Sequence, residues 1–268
     1  MITRAVSGLI LVSAMLSILI FFSDKFFLFW GAVMSIAYFE GLKFSRYSRG
    51  LRLIYLVSAL LWMLSLFGAS FMDSLAHFVA LPLLSLFVFL TASIFLYEGE
   101  HDFYFFYDFC GLFSTFIYIS MFYTPIFYLA TRPDAVEILL FLFGLMWIQD
   151  TLAYFFGKAF GKRKLAVSLS PKKTWEGSIL GLIGAYLCLW PLQMLFELQV
   201  QNYLLLFVIL VGIAGQVGDL LESFYKRNFG VKDSGSILPG HGGVLDRFDS
   251  VTAGSIVYLA LNAFLRAL

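Results

Sequence analysis

The sequence predicts an all-α fold: a polytopic bundle of about nine transmembrane helices with the N-terminus in the cytoplasm. The chain of 268 residues is 61% hydrophobic and 13% charged, whereas soluble domains are about 45–50% apolar and about 25% charged. Apolar runs of about 20 residues, the length that crosses the hydrocarbon core of a bilayer, recur along the chain. These runs must be helices, because an isolated strand in lipid would leave its backbone polar groups unpaired.

The apolar windows fall at 5–22, 26–42, 53–70, 75–97, 104–130, 136–157, 176–196, 203–224 and 250–265. The first window reaches Phe22 without a small-residue cleavage site and another follows directly, so we expect a retained helix and not a cleaved signal peptide. The fifth window contains Pro125 and is long enough to bend there. Because the last window is short, a count of eight helices stays open.

The positive charges predict the orientation of the bundle. With nine spans and the N-terminus inside, all of the 18 Lys and Arg residues except Lys25, Arg132 and Arg266 fall in cytoplasmic segments, as the positive-inside rule requires. More than half of them lie in two polar segments, 158–175 and 225–249. Long polar segments on one face of a bundle are where a charged, soluble substrate can be bound.

These observations predict a multi-pass protein of the cell membrane whose long polar segments face the cytoplasm. We expect residues 1–140 to form N-terminal transmembrane helices and residues 141–268 to form a C-terminal transmembrane region with cytoplasmic polar loops, so that any active site built from those loops would face the cytoplasm. Cys110 and Cys188 lie in separate apolar stretches, so the sequence predicts neither a disulfide framework nor a zinc site.

One group of polar residues lies on a single face of the predicted eighth helix. Asp219, Glu222, Ser223 and Lys226 are spaced i, i+3, i+4 and i+7. Carboxylates in a membrane helix are costly and usually functional, although capping of the helix in the interface is the alternative. Function is favoured for Asp219, and both interpretations stay open for Glu222. Three glycines upstream predict a close helix contact: Gly212, Gly215 and Gly218.

The loop after this helix has features of a phosphate site. Gly242 and Gly243, next to His241, would let a phosphate approach the backbone N–H groups closely. Asp246 and Asp249 are spaced i, i+3 and can present two carboxylates to one site. Such oxygen ligands indicate magnesium, which takes one or two carboxylates together with substrate phosphates. The loop lacks the Walker pattern, which disfavours a P-loop NTPase.

The segment from Ser223 to Asp249 resembles the signature of the phosphatidate cytidylyltransferase (CDP-diglyceride synthase) family. That signature runs Ser-x-apolar-Lys-Arg, four residues, Lys-Asp, then Pro-x-His-Gly-Gly, and ends Asp-Arg-x-Asp. Its fixed positions are matched by Ser223, Lys226, Arg227, Lys232, Asp233, His241, Gly242, Gly243, Asp246, Arg247 and Asp249. The departure is Tyr225, where the family prefers an aliphatic residue or Phe. Residues 147–157 and 170–177 also resemble the family.

Residues 170–177 are predicted to begin a helix whose first turn carries positive charge. Ser170 is a candidate N-cap and Pro171 a candidate first helical residue, with Lys172 and Lys173 beside an N-terminus that attracts anions. The alternative is that both lysines only obey the positive-inside rule. The first 140 residues resemble the family only in being apolar helices.

The resemblance implies transfer of a cytidylyl group from CTP to phosphatidate, giving CDP-diacylglycerol and pyrophosphate in phospholipid biosynthesis. The implied catalytic residues are Asp219, Lys226, Asp246 and Arg247. The implied substrate-binding residues are Ser170, Lys172, Lys173, Ser223, Arg227, Lys232, His241, Gly242 and Gly243. We expect Asp219, Asp246, Asp249 and Asp150 to hold Mg²⁺, and a second metal ion stays open. Expected partners are CTP, phosphatidate and membrane lipids, without nucleic acid, and a homodimer stays open.

Three alternatives to this interpretation differ from it in protein class or in substrate. Intramembrane carboxylates also occur in ion-coupled transporters, but here the charges concentrate in cytoplasmic segments and no inverted repeat is visible. A CTP transferase acting on another lipid phosphate would preserve the same motifs. A CDP-alcohol phosphotransferase would carry Asp-Gly-x-x-Ala-Arg, which the sequence lacks.

Overall fold

The computed structural model describes residues 2–45, 48–70, 75–97, 103–196, 203–235, 237 and 242–267. Over these ranges the chain is almost entirely helical, with one short two-stranded sheet, which confirms the predicted helical class. Six segments of the described chain are long and apolar enough to cross a membrane: Ser23–Phe44, Arg49–Ala69, Phe103–Ala130, Ala135–Phe160, Leu204–Asn228 and Leu245–Arg266. The composition and these segments together make the chain a multi-pass membrane protein.

The helices follow the apolar windows closely. In the described ranges they are α1 (Ile2–Phe21), α2 (Phe26–Gly41), α3 (Arg49–Ser70), α4 (Leu75–Phe95), α5 (Phe103–Ala130), α6 (Ala135–Phe160), α7 (Trp175–Phe196), α8 (Leu204–Asn228) and α9 (Leu245–Arg266). Helix α5 continues through Pro125. The predicted start of the last helix at residue 250 is wrong, because α9 begins at Leu245. A hydropathy window excludes Asp246 and Asp249, although both lie in the first turns of this helix.

The first of two compact units comprises Met1–Thr131 and Asp233–Leu245, and it contains α1 to α5. Its core is strongly aromatic. Phe116 of α5 has four aromatic neighbours with ring centroids 5.6 to 6.3 Å away, a distance at which aromatic pairs stabilise beyond their area burial: Tyr38, Tyr55, Trp62 and Phe89. The high aromatic content of the chain is therefore used to pack helices of this unit together.

The second unit comprises Arg132–Lys232 and Asp246–Leu268. Glycines allow its helices to approach closely. A Cβ atom on Gly218 of α8 would lie 2.4 Å from the Cβ of Ala253 and 2.7 Å from the carbonyl oxygen of Asp249, both on α9. A Cβ atom on Gly215 would lie 2.3 Å from the Met146 sulfur of α6. The small-residue face predicted for α8 is thus confirmed.

The segment before α7 differs from the prediction. Residues 170–174 form strand β2 (Ser170–Thr174), which pairs antiparallel with β1 (Lys164–Ala166). The predicted helix start at Ser170 and Pro171 is therefore wrong, because α7 begins at Trp175. Thr174 provides the cap, since its hydroxyl accepts a hydrogen bond from the Gly177 N–H at 3.2 Å, the third N–H of the helix.

Candidate active site

A buried lysine joins α8 to α9. The ammonium of Lys226, in the last turn of α8, lies 2.8 Å from Glu222 Oε2 and 2.5 Å from Asp246 Oδ1. Glu222 is one helical turn earlier on α8, and Asp246 is in the first turn of α9. Buried charges of this kind are tolerated when they are paired and hydrogen-bonded. The structure therefore brings together the predicted catalytic residues Lys226 and Asp246.

A second lysine joins the β-hairpin to α8. Lys173 of β2 forms an ion pair with Asp219 of α8, and both side chains are half-buried. Asp150 of α6 is close enough to Lys173 and Asp219 to interact with them electrostatically. The hairpin, and not the start of a helix, thus places Lys173 beside the carboxylates. Three of the predicted site residues, Asp150, Lys173 and Asp219, meet at this point.

Carboxylates outnumber lysines in this part of the second unit. Asp249 of α9 is buried, and its carboxylate interacts with those of Glu222 and Asp219. Glu222 Oε1 is buried and has no hydrogen-bond partner among the described residues. Because like charges repel in a poorly solvated region, this arrangement favours neutralisation of at least one of these carboxylates by a proton or a cation.

Glu222 is the residue of this cluster that the sequence left undecided. The helical spacing from Asp219 to Lys226 was the signal that could have selected it. That spacing indicates a shared face, but an interfacial cap would have the same spacing. The contact of Glu222 with Lys226 and its proximity to Asp249 place Glu222 in this cluster.

The remaining predicted site residues differ in exposure. The predicted catalytic residue Arg247 and the predicted substrate-binding residues Lys172, Arg227 and Lys232 are exposed, and Ser170 and Ser223 are half-buried. Among the described residues no ion pair involves Lys172, Arg227 or Lys232. In the first unit Gly243 is buried, and Gly242 has a positive φ of 83°, a backbone conformation that favours glycine. His241 lies outside the described residues.

The predicted metal ligands are of the chemical type that magnesium binds. Asp219, Asp246, Asp249 and Asp150 offer the hard carboxylate oxygens that Mg²⁺ prefers, and Mg²⁺ usually binds one or two such groups with substrate phosphates and water. Over the described ranges no three His, Cys, Asp or Glu side chains lie together in an arrangement that could hold a metal ion. The buried Oε1 of Glu222, which has no hydrogen-bond partner there, adds an oxygen of the same kind.

The described helices, the two paired lysines and the clustered carboxylates define a multi-pass membrane protein with a charged cluster in its second unit. The model of the cytidylyltransferase family matches residues 2–265 of the chain. The chain therefore belongs to the cytidylyltransferase family. This match confirms the resemblance seen in the segment from Ser223 to Asp249 and extends it over the N-terminal helices.

Curated relatives are similar over the part of the chain that they cover. The phosphatidate cytidylyltransferase of Staphylococcus haemolyticus (strain JCSC1435) is 48% identical over 145 residues, which are 53% of this chain and 54% of the relative. That of Staphylococcus epidermidis (strain ATCC 12228 / FDA PCI 1200) is 50% identical over 121 residues, 45% of this chain and 46% of the relative. That of Staphylococcus aureus (strain COL) is 50% identical over 127 residues, which are 46% of this chain and 48% of the relative. The chain spans about half the length of the curated relatives it matches.

Proposed function

We propose that this protein transfers the cytidylyl group of CTP to phosphatidate, forming CDP-diacylglycerol and pyrophosphate for phospholipid biosynthesis. The observation that carries the proposal is the pair of lysine–carboxylate contacts, Lys226 with Asp246 and Lys173 with Asp219. Lys173, Lys226 and Asp246 lie in the segments that resemble the family, and Asp219 lies one helical turn before Ser223. The names of the staphylococcal relatives support the choice of CTP and phosphatidate as substrates.

In the proposed reaction a phosphate oxygen of phosphatidate attacks the α-phosphorus of CTP. The bond from that phosphorus to the oxygen bridging to the β-phosphate breaks, and pyrophosphate leaves with the electron pair. Several negative charges must meet at one phosphorus, so positioning and charge neutralisation supply most of the rate. A protein base is unnecessary, because the attacking phosphate is already anionic near neutral pH.

Some side chains of the site are proposed to bind phosphates, and others orient the side chains that do so. Lys226 is oriented by Glu222 and Asp246, so its ammonium has a fixed position from which to neutralise a phosphate. Arg247, next to Asp246 on α9, is exposed, and we assign it the same role. The remaining proposed substrate-binding residues bind or steer the nucleotide and the lipid phosphate: Ser170, Lys172, Lys173, Ser223, Arg227, Lys232, His241, Gly242 and Gly243.

We propose Mg²⁺ as the cofactor, held by Asp219, Asp246, Asp249 and Asp150. When bound, Mg²⁺ polarises the α-phosphate and stabilises the leaving pyrophosphate. The clustering of Asp249, Glu222 and Asp219 supports this assignment, because a cation relieves the repulsion between their carboxylates.

The same proposal includes the orientation in the membrane. For a chain of nine spans, the distribution of Lys and Arg supports a cytoplasmic N-terminus and a site that faces the cytoplasm of the cell. Phosphatidate resides in the leaflet and CTP in the cytosol, so a site at the cytoplasmic end of the helices is reached by both. The catalytic region would then correspond to residues 141–268.

A substrate panel tests the function. The protein, purified in detergent, is incubated with each nucleoside triphosphate and several lipid phosphates, with and without Mg²⁺, and lipid products are separated by chromatography. We expect a CDP-lipid only from CTP, fastest with phosphatidate, and only with Mg²⁺. A preference for another lipid phosphate would change the substrate, and the absence of any nucleotidyl lipid would contradict the function.

A further inference from the structure

A buried carboxylate of the N-terminal helices binds the loop that resembles the family signature. Glu40 in the last turn of α2 is 3% exposed. Its Oε1 accepts a hydrogen bond from the Val244 N–H at 2.9 Å, and its Oε2 accepts one from the Leu245 N–H at 3.1 Å. The Ser234 hydroxyl donates to Oε2 at 3.1 Å. Residues about 200 positions apart in sequence are thereby joined within the first unit.

Two of these donors belong to the start of α9. Leu245 is the first residue of that helix and Val244 precedes it. The first N–H groups of a helix have no intrahelical acceptor, and a negative charge near them is stabilised by the helix dipole. Glu40 therefore performs, from a distant helix, the role that a local capping side chain usually has.

The loop is shaped to accommodate the Glu40 carboxylate. A Cβ atom on Gly235 would lie 1.9 Å from Glu40 Oε1, and one on Gly243 would lie 2.4 Å from Glu40 Oε2. The two glycines also approach each other, because the Cβ on Gly235 would lie 2.8 Å from the Gly243 Cα. Side chains at either position would expel the carboxylate, so the glycines and Glu40 form one fitted contact.

We propose that Glu40 is a positioning residue for the active site, which acts by fixing the loop ends at 234–235 and 243–245. Asp246 is the next residue after Leu245, so fixing the first N–H groups of α9 fixes the backbone from which Asp246 and Arg247 project. The proposal rests on the proposed function, because it assigns Glu40 to the same reaction. Glu40 touches no substrate in this role and acts through the helix backbone.

The variants Glu40→Gln and Glu40→Ala test the proposal. Gln preserves the volume and one carbonyl acceptor but replaces the other acceptor with an amide NH₂ group, which donates, and Ala removes all three hydrogen bonds. Since misplacement of catalytic groups by about 1 Å can cost about 100-fold in rate, we expect kcat to fall in the order wild type, Gln, Ala. We expect the KM values for CTP and phosphatidate to change much less than kcat.

Asp108→Asn is the matched control. Asp108 of α5 is a buried carboxylate of the same unit that also accepts hydrogen bonds from a hydroxyl and a backbone N–H, those of Ser45 and Ser48. Both of these donors belong to the connection before α3. We expect Asp108→Asn to leave kcat near the wild-type value at a temperature where the protein is folded.

Hydrogen exchange of peptides covering 242–248 provides a readout that needs no activity. We expect faster exchange at Val244 and Leu245 in both Glu40 variants and not in Asp108→Asn. A wild-type kcat for Glu40→Gln, or equal kcat losses in Glu40→Gln and Asp108→Asn, would overturn the positioning role. If the wild-type protein forms no CDP-lipid but the exchange pattern is as expected, the proposed function fails and the Glu40 contact stands.

Discussion

Removal of the Lys226 charge is expected to destabilise the protein far more than removal of the Lys173 charge. The side chains of Lys226, Glu222 and Asp246 are 12%, 4% and 6% exposed, and breaking a buried pair by deleting one partner costs about 3–5 kcal/mol. The Lys173 and Asp219 side chains are 30% and 27% exposed, and pairs nearer the surface contribute about 0–1 kcal/mol.

The free energy of unfolding of Lys226→Met and Lys173→Met, measured by SDS titration in mixed micelles, compares the two pairs. We expect a loss of about 3–5 kcal/mol for the first variant and at most about 1 kcal/mol for the second. Both variants should lose CDP-lipid formation, because each lacks a cation proposed to contact phosphate. Lys173→Met is the control for a lost lysine at a more exposed position.

A triple variant separates stability from catalysis. Lys226→Met combined with Glu222→Gln and Asp246→Asn removes the charge and the two carboxylates that it neutralises, and neutral replacement of a buried ionic group is often tolerated. We expect its stability to return toward that of the wild type while activity stays lost. Equal stability losses in the two single variants, or a triple variant no more stable than Lys226→Met, would refute the reasoning from burial.

Two further substitutions test the packing around the cluster. Gly218→Ala should separate α8 from α9, because the new Cβ would lie 2.4 Å from that of Ala253; overpacking of this kind costs about 1–3 kcal/mol, and an unchanged unfolding free energy would contradict the close contact. Thr174→Ala removes the cap of α7 and should lower the unfolding free energy by about 1 kcal/mol, whereas Thr174→Ser should restore it; equal stabilities of the two variants would argue against the cap.

The helices were largely predictable because each helix that crosses a bilayer needs an apolar stretch of a minimum length. The windows from hydropathy coincide with α1 to α8 within a few residues. The start of α9 was placed too late, since hydropathy cannot assign Asp246 and Asp249 to a helix whose first N–H groups are bound by Glu40. The hairpin at 164–174 was missed because its polar residues lack an alternating pattern, and Thr174 caps α7 where Ser170 had the expected capping sequence.

The residues of the candidate site were predictable where they lie within one motif. The spacing from Asp219 to Lys226 indicated a shared face, and the loop after it supplied Asp246 and Asp249. Pairing across elements was not predictable, because the contact of Lys173 with Asp219 depends on the hairpin. The contact of Glu40 with Leu245 joins residues 205 apart in sequence, a separation over which spacing carries no information.

The fate of the label from two forms of CTP tests the proposed transfer most directly. With phosphatidate, Mg²⁺ and purified protein, we expect the label of α-³²P CTP in the lipid and that of γ-³²P CTP in pyrophosphate, because the bond beyond the α-phosphorus is the one that breaks. Asp219→Asn and Asp246→Asn should abolish lipid labelling. The γ-label in lipid, or near-normal α-labelling in both Asn variants, would contradict cytidylyl transfer at this carboxylate cluster.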